Sequence, residues 1–197
     1  MAIFKPETNG SFANFHGICE FGLLEFRDKS ADFDWADIFI EVLIKQKSSD
    51  YERVLQIKGE FEKENGKITG GSALKRMYHF FDQLGCTAGL NVKGDWETED
   101  GEKIEDIARY LNNKFIIGNG NMEPNMDYLG YFYKEQPKIS GSKAYTRVMS
   151  KVYKNTEKNK AQLESDIQWM KSKGFLKEVT DEPINKTEMS GSGLANL

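Results

Sequence analysis

The stretch Lys143–Lys154 interleaves cations with aromatic rings: Lys143, Arg147, Lys151 and Lys154 stand among Tyr145 and Tyr153. Cations neutralise phosphates and aromatic rings stack on bases, and together they give a sequence-tolerant grip on a single strand. Read as a strand, the stretch puts Lys143, Tyr145, Arg147, Met149, Lys151 and Tyr153 on one face. Read as a helix, Tyr145, Val148, Met149 and Val152 form an apolar stripe and the cations line the opposite side. The two periods fit about equally well. The basic surface survives in both, whereas the tyrosines face out in one and enter a core in the other. A solvated basic face over core tyrosines is the competing reading.

Charge supports a local basic patch. The net charge is −4, but Lys134–Lys177 holds eleven Lys/Arg against four Asp/Glu, leaving −11 for the remainder. Asp95–Asp106 alone carries seven acids and one lysine. A uniformly basic nucleic-acid binder is excluded, and a basic patch on an acidic body is not.

Further aromatics extend the candidate interface. Trp35 and Phe39 lie opposite the aliphatic row of their strand and could form a stacking platform, with Lys45 at its end. Phe33 shares that face and reads more simply as buried. Tyr131 and Tyr133 share one face of a later strand that runs into Lys134 and Lys138. Arg53, on the strand after Lys45, completes the set.

Other chemistry lacks its residues. There is no Gly-x-x-x-x-Gly-Lys-Ser/Thr loop, and neither Gly118-Asn-Gly120 nor Gly191-Ser-Gly193 continues into a dinucleotide fingerprint. His16 and His79 are the two histidines and no Cys-x-x-Cys occurs, so an imidazole-based metal site is not expected. No Glu-x-Lys of the nuclease type is present. The acidic run does not match a calcium-binding loop and reads as a solvated loop. No cofactor and no catalytic residue is expected.

These residues must be positioned by a β-rich frame. Phe33–Lys47 alternates, with Ala36, Ile38, Ile40, Val42 and Ile44 on the core face. Phe15–Arg27 and Tyr51–Glu62 read as strands beside it. Ser72–Leu84 changes to helical spacing, with Ser72 as cap and Gly85 as stop. The spacing predicts a short helix over Ile104–Leu111 and strands over Phe115–Ile117 and Tyr128–Glu135. It predicts a second long helix, capped by Thr156, over Glu157–Lys173. The expected organisation is an arm over 1–14, a β-domain over 15–154 with an acidic insertion near 86–112, a C-terminal helix within 155–178 and a flexible tail over 179–197. Cys19 and Cys86 read as free buried thiols. No run reaches the roughly 18 apolar residues of a membrane span, the N-terminus has no apolar signal core, and a cytoplasmic location (a host cytoplasm if viral) is expected.

Three strands, a helix, then closing strands is the order of an OB-fold barrel. From Phe15 to Lys138 the chain resembles phage-type OB-fold single-stranded-DNA-binding proteins of replication and recombination. The resemblance rests on the long strand pair, the helix Ala73–Gly85, the entry Asn113–Ile117 and the tyrosine-rich strand ending Lys134…Lys138. It implies an α+β fold with a five-stranded barrel, an inserted helix and a C-terminal helix. It also implies non-enzymatic, largely sequence-independent binding of single-stranded DNA, with replication or recombination proteins as partners and possible self-association. The end of the chain, Asp181-Glu182…Leu197, departs from the acidic, aromatic-terminated tail of such proteins. The alternative is a viral structural or assembly protein whose aromatic faces are protein interfaces.

Overall fold

The computed structural model describes residues 15–47, 51–117, 127–135 and 145–179. In chain order its strands are β1 (Gly17–Asp28), β2 (Ile38–Gln46), β3 (Glu52–Gly59), β4 (Glu62–Glu64), β5 (Lys67–Gly70), β6 (Gly89–Leu90), β7 (Trp96–Glu97), β8 (Lys103–Ile104), β9 (Tyr128–Glu135), β10 (Tyr145–Val148) and β11 (Tyr153–Lys154). The α-helices are α1 (Ser72–Leu84), α2 (Ile107–Leu111) and α3 (Glu157–Ser172). The class is α+β. The main sheet is antiparallel in the order β10-β9-β1-β2-β3, with β11 also pairing β9.

β-branched residues at every second position make β2 the spine of the core. Ile38, Ile40, Val42 and Ile44 are buried on one face and pack with Phe21, Phe26 and Leu55 of the neighbouring strands. Helix α1 covers this face with Met77, Phe80, Phe81 and Leu84. Its end is the expected one, because Gly85 adopts φ 70°, the left-handed conformation that glycine accepts without a Cβ penalty. Its start differs by one residue: the cap position is Gly71, and Ser72 is already helical.

Strand β9 is buried on both faces. Phe132 enters the first core, while Leu129, Tyr131 and Tyr133 form a second core with Tyr153, Leu163, Ile167 and Leu176 beneath α3. Helix α3 begins as expected, with the Thr156 side chain accepting a hydrogen bond from Asn159 N–H at 3.2 Å.

Three expectations are corrected. The strand foreseen from Phe33 begins at Ile38, because the preceding loop folds back onto Phe39: Lys29 N–H donates to the Phe39 carbonyl at 2.7 Å and Phe39 N–H donates to Ser30 Oγ at 2.9 Å. Residues 115–117 are not a strand but part of a wide helical turn, Asn112–Ile117. There the Asn112 side chain accepts from Phe26 N–H and donates to the Phe26 carbonyl, both at 2.8 Å, taking the place a paired strand would hold on β1. The acidic excursion is not a plain loop. It folds as the small sheet β6-β7-β8, with Trp96 stacked on Phe81 at 5.8 Å and Tyr78 Oη accepting from Leu90 N–H at 3.1 Å.

Both cysteines are buried and free, as expected. Among the described residues no helix is long and apolar enough to cross a membrane. The arm 1–14 and nearly all of the tail lie outside the described residues.

Candidate nucleic-acid interface

The two edge strands of the main sheet, β3 and β10, face each other across a cleft of about 510 Å³. Among the described residues no strand ladder joins them. Arg53 reaches across instead, donating from Nη1 to the Thr146 carbonyl at 3.3 Å. Val42, Phe80, Phe132 and Val152 give the cleft an apolar floor.

Four cations line the cleft: Arg53 and Lys58 from β3, Arg76 from α1 and Arg147 from β10. No carboxylate is among its described lining residues. On a chain of net charge −4 this is a concentrated reversal of sign, and low-dielectric walls focus such a field. Arg53 and Lys58 are five residues apart on β3, roughly 17 Å along the strand, and the odd separation sends them to opposite faces: Arg53 shares the core face with Leu55, and Lys58 shares the outer face with Phe39.

The two faces of β3 are built differently. On the core face the Arg53 guanidinium lies 5.8 Å from the Phe15 ring centre, and Phe15 packs on Phe132 at 4.8 Å. Burial lowers the Arg53 pKa from its usual value, but a guanidinium remains charged. On the outer face Lys58 Nζ stands 5.1 Å from the Phe39 ring and 6.0 Å from the Trp35 ring. Phe33 stacks on Phe39 at 4.4 Å, with Trp35 edge-on to Phe39 at 6.0 Å. Trp35 is 50% exposed and Phe33 37%, whereas Phe39 is 4% exposed.

The expected platform is therefore redistributed. Phe39 is the buried base of the cluster, and Phe33 and Trp35 carry its open surface. Pairing register explains the connection to Lys58, which lies directly across from Phe39 on β3.

The basic stretch is neither one strand nor one helix. It forms β10 and β11, both paired to β9, with a break over residues 149–152 that inverts the alternation. Tyr145 and Arg147 are exposed, but Met149 and Tyr153 are buried. Arg147 packs over the Tyr145 ring at 5.0 Å, donates to Tyr145 Oη at 2.7 Å and forms an ion pair with Glu135. The Tyr145 hydrogen bond first, and then Glu135, raise its pKa. Lys151 is held by Asp166 of α3 at 2.7 Å, so it ties the helix to the sheet. Lys154 is exposed at the end of β11, and its N–H donates to Gln83 Oε1 at 2.9 Å.

Tyr131 and Tyr133 stack on each other at 5.9 Å beneath α3 and are 6% and 7% exposed. Their expected role as a base platform is corrected: helix α3 and the segment after it cover them. Tyr131 Oη donates to the Glu178 carboxylate at 3.0 Å. Lys134 is half-buried on β9, and Lys45 is half-buried on β2 across from Glu52. Lys138 and Lys143 lie outside the described residues. Of the expected set, the structure brings Arg53, Tyr133, Tyr145 and Arg147 to one cleft, while Trp35 lies beside Lys58 on the outer face of β3.

Lys58 and Arg76 were not foreseen. The facing of Lys58 with Phe39 was available from the two alternating strands once their register is known. Arg76 carried no sequence signal, since its place depends on how α1 docks on β3.

No protein-family model matches the chain, and comparison with curated proteins and with solved structures finds no match.

Proposed function

We propose that this protein binds single-stranded nucleic acid, DNA by the resemblance of its sequence, in the cleft between β3 and β10, without catalysis. The observation that carries this reading is the cleft itself: four lining cations and no carboxylate among the described lining residues, with an exposed aromatic cluster beside Lys58 on the outer face of β3. Phosphates would run along the cations while bases stack on Trp35 and Phe33.

The strand order supports an open barrel of OB type. The order β10-β9-β1-β2-β3, with α1 between β3 and β9 in the chain, needs only a β3–β10 closure to complete such a barrel. That seam is where the cleft lies. Replication or recombination proteins are the proposed partners. The alternative, an assembly protein, draws on the exposed pair Trp169 and Phe175, 5.6 Å apart at the end of α3.

The test is the Lys58→Ala/Arg147→Ala double variant with a fluorescent oligo-dT. If both cations meet phosphates, affinity falls and the slope of log K against log salt becomes shallower by about 1.4, at about 0.7 per contact on single strands. Unchanged affinity and slope would reject the cleft as the site.

A further inference from the structure

Among the described residues, Arg76 is the cleft cation that keeps a buried donor unpaired. Its Nη2 donates to the Lys58 carbonyl at 2.8 Å, which holds the side chain along the wall of α1 and β3. Its Nε is buried and has no hydrogen-bond partner. Buried donors are nearly always paired, and one left over calls for an explanation. Gly59 beside it carries no side chain, and a Cβ there would come 3.6 Å from Arg76 Nη2. The side chain also lines the open cleft.

From this half-satisfied position we infer that Arg76 is a stowed phosphate clamp. When a phosphodiester enters the cleft beside the Lys58 carbonyl, the guanidinium turns from the wall and presents two N–H donors to the phosphate oxygens. A planar fork suits this task, because it meets two oxygens at once and stays charged. Lys58 holds its ammonium over Phe39 and Trp35 on the outer face of β3, where it would meet a neighbouring phosphate as the strand crosses the β3 edge. The inference rests on the single-strand reading and assigns within it the contact that fixes the strand's register.

Two measurements test it separately from that reading. The first follows the Arg76 Nε–H NMR signal of the full chain during titration with inorganic phosphate, then with oligo-dT. The clamp requires that signal to shift and gain protection with either probe, and no response to either overturns it. The second compares Arg76→Lys with Arg147→Ala in oligo-dT binding. Arg76→Lys keeps the charge and loses the fork, so affinity should fall about tenfold with the salt slope nearly unchanged. If Arg76→Lys binds like the parent while Arg147→Ala weakens binding, the cleft reading stands and the clamp fails. If the parent chain ignores oligo-dT, the single-strand reading fails, and the phosphate titration alone decides whether Arg76 seats an anion. Should Arg76→Lys not fold, the two titrations of the parent chain still decide whether the guanidinium leaves the wall.

Discussion

Arg53 on β3 donates to the Thr146 main-chain carbonyl on β10, 3.3 Å across the open seam of the main sheet. The contact joins two strands that no ladder pairs among the described residues. It also places a cation in the cleft, on the face of β3 opposite Lys58 and Phe39.

Arg53→Ala should therefore act twice. It leaves a carbonyl without its charged donor, which destabilises the fold by about 1–2 kcal/mol in urea unfolding. It also frees β10, whose amide protons should exchange faster than those of β9. Unchanged exchange at Arg147 and Val148 would show that the bridge does not hold the seam.

Trp35 should report on binding directly. Trp35→Ala is expected to weaken oligo-dT binding by about 1–3 kcal/mol, the worth of one stacked base. It should also abolish the fluorescence quench that accompanies binding. Trp96 lies against Phe81 and Trp169 lies near the end of α3, so neither should respond. A quench that persists in the variant would place the bases elsewhere.

Asp166 fastens α3 to the sheet by accepting from Lys151 at 2.7 Å, Tyr153 at 2.6 Å and Gln162 at 3.0 Å. Burial pushes its pKa up, but these bonds outweigh burial and hold it below the usual carboxylate value. Its contribution is present above the unfolded-state pKa and is lost as pH falls through the lower folded one. Asp166→Asn should cost about 2 kcal/mol at neutral pH and flatten stability against pH in the acid range. Oligonucleotide affinity should stay near that of the parent, since Asp166 is not among the residues lining the cleft.

His79 defines a second, higher pH window. Its Nε2 lies 2.9 Å from the Val152 carbonyl, and its ring meets Tyr153 edge-on at 5.0 Å. Burial lowers its pKa, the Val152 bond opposes this, and Lys151 on one side and Asp82 and Asp166 on the other act more weakly. The folded state thus prefers the neutral ring. Stability from this preference is complete above the unfolded-state value of 6.5 and declines as pH drops below it toward the folded pKa. The urea midpoint should fall between about pH 7.5 and about pH 5.5 in the parent chain. His79→Gln should remove most of that slope.

Much of the frame was legible because it obeys local periods. Ile38, Ile40, Val42 and Ile44 alternate so regularly that the core face of β2 follows from spacing alone. Thr156, Gly85 and Gly174 mark helix ends through their own backbone preferences. The interface was less legible, because it depends on what covers each face. Tyr131 and Tyr133 alternate as an exposed platform would, and only the docking of α3 shows that they are core. Residues 149–152 fit a strand and a helix about equally by spacing, and the break there buries Met149 and Tyr153 together. Phe33 and Phe39 exchanged roles because the loop after β1 folds back on the strand it precedes. Arg76 entered through the packing of α1, which no spacing encodes.

The unpaired seam has a colloidal consequence. An open strand edge invites a like edge from another copy, and this is a common route to aggregation. Among the described residues the main sheet ends at β3 and β10, and these carry Arg53, Lys58 and Arg147. Edge-to-edge pairing of two copies would bring those cations together. The charges that would suit a polyanion would therefore also repel a second copy.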